Sequence, residues 1–108
     1  MTRISQNVAA DGSPRVMLQN IELVSNSPLK EGTSLRTGSP WKIQMSNFKL
    51  SFNGKPMWMR LTARGELADQ IAALRPGTML DVNVKFDIMG SSFMTNDITI
   101  CEILNQIH

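Results

Sequence analysis

Apolar and polar residues alternate at a period of two along most of the chain, interrupted by one stretch with a helical period. The segment RVMLQNIELV, Arg15 to Val24, carries apolar residues on both parities, which suits a strand buried partly on each side or bent in its middle. In WKIQMSNFKLSF the apolar positions are Trp41, Ile43 and Met45 on odd numbers, then Phe48, Leu50 and Phe52 on even ones. A strand changes its buried parity only through an extra residue or a sharp coil. The switch near Ser46-Asn47 therefore predicts a β-bulge or strong bend in this second strand. Asn53-Gly54 supplies the positive-φ residues of a tight hairpin turn. A third strand, KPMWMRLT, follows with Met57, Met59 and Leu61 on one face and Trp58, Arg60 and Thr62 on the other. In GELADQIAALRPG the residues Leu67, Ala68, Ile71, Ala72 and Leu74 share a helical face, and Pro76-Gly77 ends the run. TMLDVNVKFDI then alternates without a break, with Leu80, Val82, Val84, Phe86 and Ile88 inward. A Gly-Ser loop over 89–96 leads to a fifth strand at roughly residues 97–104.

The remaining segments read as irregular. Residues 1–14 are polar and end in Gly12-Ser13-Pro14, which predicts a flexible arm without secondary structure before a folded domain over 15–108. Residues 25–40, SNSPLKEGTSLRTGSP, predict a long loop, and loops of that length are often functional. Three strands, one short helix and two more strands make an all-β chain in the order of a five-stranded OB-fold barrel, with the helix between strands 3 and 4. An open α+β sheet tolerates the same order, but a bend in strand 2 favours closure.

Composition narrows the function more than the fold. A chain of 108 residues has room for one core. Its formal charge of +2 does little to recommend a nucleic-acid partner, so the placement of the charges must decide. Cys101 is the one cysteine, which excludes an intramolecular disulfide and fits a cytoplasmic setting. No apolar run approaches the roughly 18 residues of a membrane span, and the N-terminal residues lack the apolar core of a signal peptide.

Catalytic chemistry finds little to work with. The one histidine is His108, the final residue, and Cys101 lies in an apolar strand. No Cys/His spacing suits zinc, Asp81 with Asp87 is not a metal loop, and phosphate-cradling glycine motifs are missing, so no cofactor, metal or small-molecule substrate is expected. The informative feature is the outward face of the second and third strands. With the alternating apolar residues inside, that face displays Lys42, Lys49, Trp58 and Arg60 among Gln44, Ser46, Asn47 and Ser51, with no acid. Adjacent loops add Lys30, Arg36 and Lys55. Cations that track phosphates, interleaved with an aromatic face on which a base stacks, are what single-strand binding needs.

Each residue also has a plainer reading. An outward tryptophan is also commonly used to pack a subunit interface, with stacking the favoured reading for Trp58. Single strand lysines and arginines are ordinarily solvated surface charges, and it is their sharing a face with Trp58 that gives them weight. Trp41 is expected to close a barrel end, and Phe48, Phe52 and Phe86 to fill the core. Phe93, on the Gly-Ser loop, is the second stacking candidate.

The segment MWMRLTARGELADQIAALRPGTMLDVNVKF resembles the central part of the bacterial and phage single-stranded-DNA-binding proteins. Trp58, Arg60, Gly65, Leu67, Ala68 and Gly77 fall on that family's pattern, over about 30 residues. The resemblance implies an OB barrel, non-enzymatic and largely sequence-independent binding of single-stranded DNA in replication, recombination or repair, and assembly as a dimer or tetramer. It gives Trp58 the role of a stacking tryptophan. Arg64 stands where the family often has an aromatic, although a guanidinium also stacks on bases. The chain ends at ILNQIH without the family's flexible tail and acidic terminal peptide, as expected of a compact phage or plasmid version or a shortened chain. The competing class is an OB-fold protein adaptor in a primosome or phage assembly. The two separate on salt, because strand binding weakens steeply with it.

Overall fold

The computed structural model describes residues 1–88 and 96–107. Among these, seven strands and a helix follow one another as β1 (Arg3–Val8), β2 (Pro14–Asn26), β3 (Lys30–Thr33), β4 (Pro40–Phe52), β5 (Lys55–Arg64), α1 (Glu66–Ala72), β6 (Met79–Ile88) and β7 (Asn96–Ile107). Phe93 and His108 lie outside the described residues, as do the side chains of Phe86 and Ile88. β2 pairs with β6 on one edge and with β4 on the other, and the circuit β2-β6-β7-β5-β4 closes on itself. Its steps are antiparallel except β5 to β7, where Thr62 lies opposite Thr99 in parallel. The product is an all-β, barrel-like ring of five strands with one short helix between its third and fourth members, as the sequence predicts. Closure satisfies backbone edges that an open sheet of five strands would leave unpaired.

The ring encloses Leu18, Ile21, Leu23, Phe48, Leu50, Leu61, Leu80, Val82, Val84 and Ile100, all nearly or fully buried. α1 adds Ala68 and Ile71, with Leu74 just beyond its end, and packs against β4, β5 and β7. Truncating any one of the large side chains to alanine removes about 2–5 kcal/mol.

The bend of the barrel lies in β2, as one reading of its mixed parity allows, and not in β4, where the switch of apolar phase predicts it. Pairing of β4 with β5 runs unbroken from Ile43↔Arg64 to Phe52↔Lys55, and the Asn53-Gly54 turn that sets it has φ of 51° and 76°. β2 shifts register twice, between Leu18 and Ile21 against β6 and between Leu23 and Ser25 against β4. At the first shift Asn20 takes φ of 62°, a left-handed conformation that asparagine tolerates, and the Asp81 carboxylate accepts its backbone N–H at 2.9 Å. β4 thus buries even positions along its whole central run, Gln44 and Ser46 in line with Phe48 and Leu50. The polar pair is tolerated because it is hydrogen-bonded. Gln44 Nε2 donates to the carbonyls of Ser27 and Met45, and Ser46 Oγ donates to Asn26 Oδ1. Asn26 Nδ2 in turn donates to the carbonyls of Ile71 (3.1 Å), which also accepts the Leu74 N–H, and of Leu74 (3.4 Å), just past the end of the short helix.

Two segments expected to be irregular are strands. β1 occupies the supposed arm, paired antiparallel with β2 from Arg3↔Gln19 to Val8↔Pro14. Above its bulge β2 has parted from β4, so its backbone groups need another partner. Thr2 locks the strand in place: its N–H donates to Ser51 O (2.8 Å), its hydroxyl donates to Asn20 O (2.9 Å), and that hydroxyl accepts the Ser51 N–H (2.9 Å). β3, within the expected long loop, pairs with the start of β4 from Lys30↔Ile43 to Thr33↔Pro40. Both are peripheral strands that bury little, so a polar sequence suffices for them.

Candidate nucleic-acid interface

Unbroken pairing of β3, β4 and β5 fixes which residues share the outer face, because partners opposite one another in an antiparallel ladder point the same way. Since even positions of β4 face the core, its odd positions face outward. One end of the face holds Lys49 opposite Trp58 and Asn47 opposite Arg60. Trp58 is 64% exposed, a large apolar surface left in water among polar neighbours. Asn47 orders the end, accepting a long hydrogen bond from Arg60 Nε (3.5 Å) and donating to Ser25 Oγ (3.0 Å). Further along stand half-buried Met45 opposite Thr62, which is itself nearly buried where β7 pairs with β5, and then half-buried Ile43 between Arg64 and Lys30. Trp41 ends the face. It lies against Gly32 of β3 and is 43% exposed, so it does not close the barrel as expected.

The structure therefore brings together Trp58, Arg60, Lys49, Arg64 and Lys30 from the residues singled out by sequence. It separates others from them. Lys42 sits on an even position of β4 and points to the helix side, where Nζ meets Asp69 Oδ2 at 2.9 Å. The hydrogen bond and charge of Asp69 raise its pKa above the ordinary lysine value. Lys55, opposite Phe52, has the inward parity at the turn, and Arg36 is exposed in the turn joining β3 to β4. The face is also less purely basic than the sequence suggests, because Glu22 of β2 is the register partner of Lys49. Among the described residues the two form no ion pair.

Sequence reasoning missed Trp41, Ile43 and Met45 as outward residues. The signal was available: the two-residue turn pairs Phe52 with Lys55, and counting back places every odd residue of β4 beside Trp58.

Among the described residues no helix is long and apolar enough to cross a membrane, and no cluster of His, Cys, Asp or Glu has the makeup of a metal site. A cavity of about 580 Å³ lies away from this face between β1, β2 and β6, where Val8, Pro14, Val16 and Val84 line it together with Gln6, Asn7, Arg15 and Lys85. Comparison with protein-family models, with curated proteins and with solved structures finds no match for the chain.

Proposed function

We propose that the ring is an OB barrel and that its β4–β5 face binds single-stranded DNA without sequence preference and without catalysis. The observation that carries this reading is Trp58, an exposed indole between Lys49 and Arg60 on a rigid two-stranded surface. A base stacks on the indole at a worth of about 1–3 kcal/mol, and the two cations neutralise flanking phosphates. OB barrels bind oligonucleotides on the corresponding face, that of their second and third strands. The resemblance of the segment around Trp58 and Arg60 to single-stranded-DNA-binding proteins supports the same reading, as does the ring order with one parallel step.

The test is a tryptophan-fluorescence titration with oligothymidine at two salt concentrations. Binding should quench emission, and affinity should fall linearly with salt on logarithmic axes, at a slope of about −0.7 per phosphate contact. Affinity unchanged by salt would transfer the face to an apolar protein partner.

A further inference from the structure

The two tryptophans of the chain stand at opposite ends of one face. Trp41 precedes Lys49, the partner of Trp58, by a stretch of β4 that spans roughly 26 Å at about 3.3 Å per residue. Each end sets an indole beside two cations, the Trp58 end also carrying Glu22 across from Lys49. Trp58 is flanked by Lys49 and Arg60; Trp41 has Lys30 and Arg64 one ladder step away, on either side of Ile43. Ile43 and Met45 lie between the ends. On the ladder of β3, β4 and β5 the outward positions from Trp41 to Lys49 hold no acid. Glu31 faces the other way beside Lys42, and Glu66 has left the sheet for the first turn of α1.

The seat of Trp41 is built by the absence of a side chain. A Cβ at position 32 would stand 2.6 Å from Cζ2 and 2.9 Å from Cε2 of the indole, far inside contact distance. Gly32 has no positive φ to explain its presence, so what position 32 accommodates is the ring. The indole thereby rests on backbone while much of its surface stays in water.

We propose that Trp41 is a second base-stacking platform, and that one single strand of DNA runs along β4 from Trp58 to Trp41. This rests on the strand-binding reading of the face and adds its extent: about eight nucleotides at the 3.4 Å spacing of a stacked strand, fewer if the strand is stretched, within the range of single OB barrels. Each end holds a base by stacking and the adjacent phosphates by its cations. A strand long enough to reach both ends gains the second contact at high effective concentration.

Because the chain has two tryptophans, Trp58→Phe leaves Trp41 as the sole indole and Trp41→Phe leaves Trp58. Oligothymidines of about 4 and about 16 nucleotides serve as probes. The long probe should quench Trp41 in the Trp58→Phe protein. Trp41→Ala should weaken binding of the long probe by about 5- to 150-fold and of the short one by about twofold at most, since a short strand still has the Trp58 end. Gly32→Ala, which unseats the indole without removing it, should weaken the long probe in the same direction, with the melting transition recorded to confirm folding. If Trp41 emission is unmoved by the long probe while Trp58 in the Trp41→Phe protein is quenched, the second platform is refuted and the strand-binding reading stands. If neither indole responds and neither probe binds, both readings fall.

Discussion

The two halves of β4 are built on opposite rules. From Phe48 to Phe52 the side chains pointing into the barrel are apolar, and hydrophobic pattern and burial coincide. From Pro40 to Ser46 they do not. Gln44 and Ser46 point inward at 1% exposure, while Trp41, Ile43 and Met45 lie on the outer face. Local hydrogen bonding accounts for both: Gln44 donates to the Ser27 and Met45 carbonyls, and Ser46 holds Asn26, which donates to the Ile71 and Leu74 carbonyls at the end of the short helix. Where backbone groups must be satisfied, a hydrogen-bonded polar side chain takes a core position, and the apolar residues displaced outward become available for recognition.

Substitutions in the two halves should therefore differ in kind. The largest effect is expected for Phe48→Ala, a cavity in the apolar half, at about 3–5 kcal/mol in urea unfolding. Gln44→Leu comes next. Although it makes the position more apolar, it withdraws the donor from the Ser27 and Met45 carbonyls and should cost about 1–3 kcal/mol. If β4 changed phase at Ser46 as its apolar pattern suggests, Gln44 would lie at the surface and the substitution would fall within about 0.5 kcal/mol of neutral. On the binding side, Lys49→Ala should flatten the salt dependence by up to about 0.7, whereas Lys42→Ala, on the other side of the strand, should leave it unchanged.

The smallest effect concerns the Lys42–Asp69 pair. Because the pKa of Lys42 is raised in the folded chain, its contribution is complete below the ordinary value of 10.5 and is lost as pH rises through the raised one. The difference in melting temperature between the native chain and Lys42→Ala should thus be constant through neutral pH and close in strong alkali.

The central ring was legible because its strands obey simple rules. Leu80, Val82 and Val84 alternate inward as read, α1 buries Ala68 and Ile71, and Asn53-Gly54 turns the hairpin. The peripheral strands were not legible, since β1 and β3 bury little and depend on edges of β2 and β4 that only the assembled ring presents. The bend in β2 was legible only as one of two readings of its mixed parity. Asn20 takes its positive φ between residues that look continuous in sequence, and its partner Asp81 is far along the chain. Of the candidate site, the Trp58 end was read from alternation alone. The Trp41 end was lost to the false phase change, and Lys42 was drawn into the face by the same error.

The most direct test of the account is the affinity of Trp58→Ala for oligothymidine, measured beside its melting temperature and its mass in solution. Trp58 is on the surface and outside the buried core, so the melting temperature and the mass should change little. Affinity should fall by about 1–3 kcal/mol, the worth of one stacked base. Unaltered affinity together with a collapsed melting temperature or a dissociated oligomer would contradict the account and make Trp58 part of a protein interface.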